Sequence, residues 1–254
     1  MQGMLNGSSA IVVGGGRGIG YAVAKRLSEQ GAKGLIFDLP DVIEPATQPP
    51  AFEKADIDVS SEQSIAAAFA RVASEFDTVD IVVANAGIVP PWRQTEDIDL
   101  DEWDRVFSIN VRGVAATLKH AVPLMKKRGG SIVVTASING VTGAPLQGAY
   151  TSSKHAVLGL VRCSALELGQ YGIRVNAVGP GPVLTDALRE RIRFRSTNGG
   201  PTEAEAERLL AEQTPLGRIA TEDDVADGVL FLASKLSAAI TGHLLPIDAG
   251  FRIT

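Results

Sequence analysis

The fold of this 254-residue chain is indicated most clearly by residues 10–20, which read AIVVGGGRGIG. Ala10–Val13 is a short apolar run of the kind that forms a buried strand. The glycines Gly14, Gly18 and Gly20 follow at once, and apolar residues then recur at helical spacing. A strand, a glycine-rich turn and a helix in this order predict the first βα unit of a parallel sheet.

The rest of the chain repeats this alternation of short apolar runs and amphipathic stretches, which predicts an α/β fold with crossover helices. Strands are predicted at 10–13, 35–38, 80–84, 131–136, 174–178 and 244–247. Helices are predicted at 18–30, 61–76, 102–128, 150–171 and 222–233, with helical propensity over 186–213 that is interrupted at 198–201. Pro45, Pro49 and Pro50 predict a loop over 41–51. Since no long linker or repeat divides the chain, we expect one domain over 1–254.

Composition narrows the class of protein. Hydrophobic residues make up 45% and charged residues 21%, as in ordinary globular proteins, and the net charge of −5 favours neither nucleic acid nor an anionic membrane as partner. The single cysteine, Cys163, excludes a disulfide framework and is typical of a reducing compartment, so we expect a cytoplasmic protein. Three histidines and one cysteine argue against a zinc site. We expect no signal peptide, and the sequence has no apolar stretch near the ~18 residues that a membrane helix needs.

The glycine turn predicts a nucleotide site. Without Cβ atoms, Gly14, Gly18 and Gly20 allow a pyrophosphate to approach the helix N-terminus, where N–H groups and the helix dipole favour anions. Asp38 ends the second predicted strand, at the distance where an acidic residue binds the adenosine ribose. A carboxylate there repels the 2′-phosphate of NADP, so NAD is the predicted cofactor. Two alternatives stay open: Asp38 as a plain strand-end residue, and Arg17 as a ligand of a 2′-phosphate.

Tyr150 and Lys154 form the most informative pair of side chains. Four residues apart on a predicted helix, they lie on one face and can meet. A lysine cation beside a tyrosine favours the phenolate and lowers the phenol pKa, which makes Tyr150 a candidate general acid and base. Taken alone, the pair could equally be a half-buried tyrosine beside a solvated lysine.

Together these motifs resemble the short-chain dehydrogenase/reductase family, of the compact single-domain type, over nearly the whole chain. The motifs are Gly14-Gly15-Gly16-Arg17-Gly18-Ile19-Gly20, Asp58-Val59, Asn85-Ala86-Gly87, Asn110, Ser137 with Tyr150-Thr151-Ser152-Ser153-Lys154, Pro180-Gly181-Pro182-Val183-Leu184-Thr185 and Asp248-Ala249-Gly250. Val13 departs from the pattern, because the family usually has there a threonine whose hydroxyl ties the glycine loop to the Asn-Ala-Gly loop.

The resemblance implies a Rossmann-like, doubly wound parallel sheet of about seven strands with helices on both faces. It implies catalytic roles for Asn110, Ser137, Tyr150 and Lys154, and a homotetramer as the assembly. The implied cofactor contacts are Gly14, Arg17, Gly18, Ile19, Gly20, Asp38, Asp58, Val59, Asn85, Ala86, Gly87, Tyr150, Lys154, Pro180, Gly181, Val183 and Thr185. The implied substrate contacts are Ser137, Ile138, Gln147 and Tyr150.

The implied activity is the NAD-dependent interconversion of a secondary alcohol and a ketone, with a small hydroxy or keto compound as substrate. Taken singly, several residues have plainer roles: Ser137 as a loop serine, Asn110 as a local hydrogen-bonding residue, Asn85 as a turn residue and Thr185 as a helix N-cap. Two other functions stay open, an NADP-dependent 3-oxoacyl thioester reductase and a non-catalytic NAD-sensing or scaffold protein.

The segment 186–213 is expected to cover the substrate pocket. It carries Arg189, Arg191, Arg193 and Arg195, for which we favour a solvated helix face. The alternative is an anion-binding rim for an acyl-CoA or acyl-carrier substrate.

Overall fold

The computed structural model describes residues 3–42, 49–197 and 199–251. Its centre is a seven-stranded sheet in which each strand runs parallel to its neighbours, in the order β3-β2-β1-β4-β5-β6-β7. The strands are β1 (Ser9–Val13), β2 (Lys33–Asp38), β3 (Phe52–Asp56), β4 (Ile81–Ala84), β5 (Gly130–Thr135), β6 (Ile173–Pro180) and β7 (Leu244–Ile247). The predicted α/β class and parallel sheet are confirmed.

The helices are α1 (Gly18–Glu29), α2 (Glu62–Glu75), α3 (Leu100–Phe107), α4 (Gly113–Met125), α5 (Gly148–Leu168), α6 (Asp186–Ser196), α7 (Glu203–Glu212) and α8 (Glu222–Ala233). A π-helical turn, Ser108–Arg112, joins α3 to α4 where the sequence predicts one continuous helix over 102–128. A π turn holds one extra residue within a helix, and the apolar period of the sequence does not reveal it.

Strand β3 was missed by the sequence reading. Its residues, Phe-Glu-Lys-Ala-Asp, contain a single large apolar side chain, because β3 lies at the sheet edge and pairs only with β2. The predicted loop over 41–51 starts with a short 3₁₀ turn, Pro40–Val42, and its residues 43–48 lie outside the described residues.

Alternate residues of the central strands fill two cores, one on each face of the sheet. Ile11, Val82 and Ile132 belong to the core that α2, α4 and α5 cover. Their neighbours Val12 and Val83 belong to the other core, under α1 and α8. Both faces are therefore buried, which explains why these strands are continuous apolar runs.

The topology brings the predicted site residues to one edge of the sheet. Chain order reverses between β1 and β4, and ligands of such sheets bind at the carboxyl ends of the strands beside this point. The loops that follow β1, β4 and β5 carry Gly14, Asn85 and Ser137, so separate segments of sequence meet there.

Candidate active site

The glycine loop is shaped by close contacts with its neighbours. Gly14 has φ +78°, and a Cβ on it would lie 2.5 Å from Ala86 Cα. A Cβ on Gly20 would lie 1.9 Å from the Gly14 carbonyl oxygen, so α1 can approach the loop only with glycine at that position. Gly18 has φ +56°, which favours glycine, and a Cβ on it would meet Glu222 Oε1 at an ordinary contact distance of 3.6 Å.

The first turn of α1 is suited to an anion. Arg17 is the N-cap residue but its side chain makes no capping hydrogen bond, and the turn contains no acidic residue. The N–H groups of Gly18, Ile19 and Gly20 therefore have no side-chain acceptor, which leaves them for the pyrophosphate of a dinucleotide.

Asp38 lies beside this loop at the end of β2. Its Oδ2 accepts a hydrogen bond of 2.8 Å from the Gly16 N–H, and its Oδ1 accepts one of 2.8 Å from the Leu39 N–H. Two backbone donors thus fix the carboxylate at the edge of the glycine loop. Its remaining lone pairs are available for ribose hydroxyls, as the sequence predicts.

The tie between the glycine loop and the Asn-Ala-Gly loop is present despite Val13. The N–H groups of Asn85 and Ala86 each donate to the Val13 carbonyl oxygen at 2.9 Å. Asn85 Nδ2 donates to the Gly14 carbonyl oxygen at 2.7 Å, and Asn85 Oδ1 accepts from Thr135 Oγ1 at 2.9 Å. Asn85 is therefore more than a turn residue, because its side chain joins the glycine loop to the end of β5.

Asp58 and Val59 follow β3 on the adenine side of the expected site. Asp58 is exposed, and its Oδ1 accepts hydrogen bonds from Ser60 N and Ser60 Oγ at 2.9 and 2.7 Å. A Cβ on Gly113 would lie 2.9 Å from the Val59 carbonyl oxygen, so Gly113 permits the close approach of α4 to this loop.

Tyr150, Ser137 and Lys154 are brought together from β5 and α5. Burial raises the pKa of the Tyr150 phenol, while a hydrogen bond with Ser137 lowers it, and so does the positive charge of Arg191. Ser137 is only 7% exposed; its Oγ accepts from Asn139 N at 3.2 Å, which caps the 3₁₀ turn Ile138–Gly140. A hydroxyl beside the phenol can hydrogen-bond the same substrate oxygen that the phenol protonates.

Lys154 lies beside Tyr150 and is held by the end of β5. Its Nζ lies 5.6 Å from the Tyr150 ring centroid and donates a 2.9 Å hydrogen bond to the Thr135 carbonyl oxygen. Burial lowers the pKa of the Lys154 ammonium itself to about 8. Ser137 and Arg191 are the groups that lower the Tyr150 pKa in the protein.

Asn110 lies within the π turn and is fully buried. Its Oδ1 accepts from the Ile88 N–H at 2.8 Å, and its Nδ2 donates to the Ile88 carbonyl oxygen at 2.9 Å and to Ser153 Oγ at 3.2 Å. Both amide protons are therefore used within the protein. The side chain thereby holds the loop after β4 against α5.

The segment after β6 holds the remaining predicted cofactor residues. Pro180 ends β6, and the Gly181 N–H donates to the Ile247 carbonyl oxygen at 3.0 Å. Val183 is buried and bridges to Ala220. Thr185 is the N-cap of α6 and accepts from the Leu188 N–H at 3.3 Å, so its capping role is present, and its hydroxyl proton is free to donate elsewhere.

Besides Ser137 and Tyr150, the predicted substrate residues are Ile138 and Gln147. Ile138 follows Ser137 and is 5% exposed. Gln147 is the N-cap residue of α5, and its Oε1 accepts from Asn139 Nδ2 at 3.2 Å. Both lie close to Tyr150 in the fold, although the hydrogen bond of Gln147 is used within the protein.

The sequence reading missed two contributors to this site. Thr135 binds both Lys154 and Asn85, and only its place at the end of β5, two residues before Ser137, could have indicated this. Arg191 was assigned to a solvated face with the other arginines of α6, but its charge acts on Tyr150.

Within residues 3–42, 49–197 and 199–251, no group of three or more His, Cys, Asp or Glu side chains could hold a metal ion. Among these same residues, no helix is long and apolar enough to cross a membrane.

Comparisons with known proteins give the family. The protein-family model described as enoyl-(acyl carrier protein) reductase matches residues 13–252. The chain is 36% identical to cis-4-hydroxycyclohexanecarboxylate dehydrogenase of Sinomonas cyclohexanicum over 95% of each chain. It is 33% identical to D-beta-hydroxybutyrate dehydrogenase of Rhizobium meliloti, over 96% of this chain and 98% of that protein.

A solved structure agrees with these relatives. Carveol dehydrogenase from Mycobacterium avium, in complex with NAD, superposes with a TM-score of 0.92 at 32% identity and covers 99% of this chain and 100% of its own. The glycine loop, the buried Tyr150–Lys154 pair and these matches lead to one conclusion: the chain belongs to the short-chain dehydrogenase/reductase family and is an oxidoreductase.

Proposed function

We propose that this protein interconverts a secondary alcohol and a ketone with NAD as its cofactor. The observation that carries the proposal is the meeting of Ser137, Tyr150 and Lys154 on the carboxyl side of β5, beside the glycine loop with Asp38. NAD, when bound, supplies the hydride acceptor. The protein then has to place the carbinol carbon and move one proton.

The proton moves at the Tyr150 hydroxyl. Ser137 Oγ and Tyr150 Oη bind the substrate oxygen together, and the Tyr150 phenolate takes the hydroxyl proton as the alcohol is oxidised. In the reverse direction the phenol donates that proton to the new alkoxide. Ser137 hydrogen-bonds the oxygen while negative charge develops on it.

NAD rather than NADP is favoured by Asp38. The two backbone N–H groups that bind its oxygens hold a negative charge where the 2′-phosphate of NADP would lie. Repulsion between these like charges discriminates against NADP. Arg17, on the other side of the loop, makes no side-chain cap and stays the candidate ligand if NADP proves to be used.

An NAD-coupled screen tests the proposal. The purified protein is given NAD or NADP with secondary alcohols, hydroxy acids and 3-hydroxyacyl thioesters, and formation of the reduced cofactor is followed by absorbance. We expect turnover with NAD. Hydroxycyclohexanecarboxylate and hydroxybutyrate belong in the screen because they name the substrates of two relatives. NADP-dependent turnover confined to thioesters would favour the acyl reductase, and tight NAD binding without turnover would favour the non-catalytic alternative.

We also propose that the protein is a homotetramer and is cytoplasmic. We propose further that it is a single domain in which residues 186–213 cover the substrate pocket. On α5, Leu166 is 87% exposed and Cys163 is exposed as well, so this helix has an apolar face that a second copy would cover. Light scattering on the eluting protein gives the mass directly. A monomer at micromolar concentration would contradict the tetramer.

A further inference from the structure

We propose that Arg191 binds an anionic group of the substrate, so that the enzyme acts on hydroxy acids or keto acids in preference to neutral alcohols. This inference rests on the proposed function and adds the chemical class of the substrate.

The four arginines of α6 divide between two faces of the helix. Arg189 and Arg193, one turn apart, both form ion pairs with Glu203 of α7, that of Arg193 at 3.1 Å. Arg191 and Arg195 are also one turn apart, on the opposite face. The Arg195 guanidinium lies 4.3 Å above the Trp92 ring, and Trp92 belongs to the segment after β4. The face of Arg191 and Arg195 is therefore turned toward the active-site edge of the sheet.

Arg191 is oriented on this face by its own helix. Its Nε donates to the Ala187 carbonyl oxygen at 3.1 Å, which fixes the guanidinium and leaves its terminal N–H groups available. The positive charge is close enough to the Tyr150 phenol to lower its pKa, and burial lowers the pKa of Arg191. The guanidinium thus lies within electrostatic reach of the phenol that transfers the proton.

Arg191 differs from the other arginines of α6 because its guanidinium lacks a carboxylate or aromatic partner among the described residues. Arg189 and Arg193 share a carboxylate and Arg195 has an aromatic ring, whereas no carboxylate of the described residues lies within ion-pair distance of Arg191. A partly buried arginine without a counter-ion is costly, and a carboxylate or phosphate that enters the pocket would supply one in bidentate geometry. Since the pocket must also present a hydroxyl to Tyr150, the fitting ligand carries a hydroxyl and an anionic group together.

The experiment compares each acid with its methyl ester, which keeps the shape and removes the charge. The substrates are the β-, γ- and δ-hydroxyhexanoates and their methyl esters, and the proteins are wild type, R191Q, R191K and R193Q. The readout is the acid-to-ester ratio of kcat/KM with saturating NAD. In this ratio any effect of Arg191 on the Tyr150 pKa cancels, because both substrates use the same phenol.

We expect wild type to prefer the acid, and R191Q to lower the acid-to-ester ratio by roughly 10- to 100-fold, the effect of losing a hydrogen bond to a charged group. R191K should retain part of the preference. R193Q removes the same charge from the opposite face of α6 and should keep the wild-type ratio. Equal use of acid and ester by wild type, or equal losses on both substrates in R191Q, would overturn the proposal.

A binding measurement separates this inference from the proposed function. Isothermal titration of the acids and esters into the Y150F variant saturated with NAD needs no turnover. The role of Arg191 is supported if Y150F binds an acid more tightly than its ester and Y150F/R191Q loses this difference. This support holds even if the wild type shows no dehydrogenase activity. Absence of any acid preference in binding overturns it. If R191Q weakens NAD itself as much as the acid, Arg191 is a cofactor ligand and the inference is wrong.

Discussion

Lys154 donates a hydrogen bond of 2.9 Å from its buried Nζ to the backbone carbonyl oxygen of Thr135. This bond joins α5, which carries Tyr150, to the end of β5, which leads into Ser137. The lysine therefore sets the distance between the two residues proposed to hold the substrate oxygen, in addition to any contact with a cofactor ribose. Its burial also has a thermodynamic consequence.

The stability of the cofactor-free protein should rise with pH because of Lys154. The pKa of this group is about 8 in the fold and 10.5 in an ordinary solvated lysine, so between these limits the unfolded chain binds more protons than the folded one. Below pH 8 both states are protonated, and burial of the charge costs about 3 kcal/mol. As pH rises from about 8 toward 10.5 this cost is relieved.

The variant K154M removes this pH dependence. We expect K154M to be more stable than wild type at pH 7 and the difference to shrink by about pH 9.5, as measured by urea unfolding. K25M, at an exposed lysine, is the control and should follow wild type. If the free energy of unfolding depended on pH in the same way in wild type and K154M, burial would not disfavour the charged form of Lys154.

Replacement of Asp38 should relax cofactor discrimination. In D38A the negative charge at the edge of the glycine loop is lost, and we expect the NADP-to-NAD ratio of kcat/KM to rise by roughly 100-fold, since like-charge contacts cost several kcal/mol. D77A removes an exposed carboxylate elsewhere and should leave the ratio unchanged. A wild-type enzyme that prefers NADP would refute the argument from Asp38.

Asn110 should contribute more to stability than a typical asparagine. N110A leaves the half-buried Ile88 N–H and carbonyl without their partners, and we expect a loss of about 2 kcal/mol in the free energy of unfolding. N139A loses a single hydrogen bond, with Gln147, and should cost about 1 kcal/mol. If N110A were as stable as N139A, the π turn would be held by the backbone alone.

The sequence predicts the central strands and most helices because their apolar residues recur with the period of the element. Edge strand β3 escapes this reading, since an edge with one large apolar side chain has no such period. The π turn at 108–112 escapes it as well, because the chain stays helical from α3 into α4 and only the spacing of the hydrogen bonds changes.

For the candidate site, too, the sequence displays local motifs but not the contacts between distant elements. The glycine loop and the residues around Tyr150 form local motifs, which a sequence displays directly. The contact of Lys154 with Thr135 and the approach of Arg191 to Tyr150 depend on how distant elements pack, which no local pattern records. That difference explains why the sequence offers candidate residues for the site but not the contacts of Lys154 with Thr135 and of Arg191 with Tyr150.

The central claim is that Tyr150 transfers the proton in an NAD-dependent oxidation, and Y150F tests it most directly. With the best alcohol of the screen, we expect Y150F to lose about 100-fold or more in kcat, the contribution of a positioned general base, while the dissociation constant for NAD changes little. Turnover at the wild-type rate in Y150F, with NAD bound as tightly, would contradict the account.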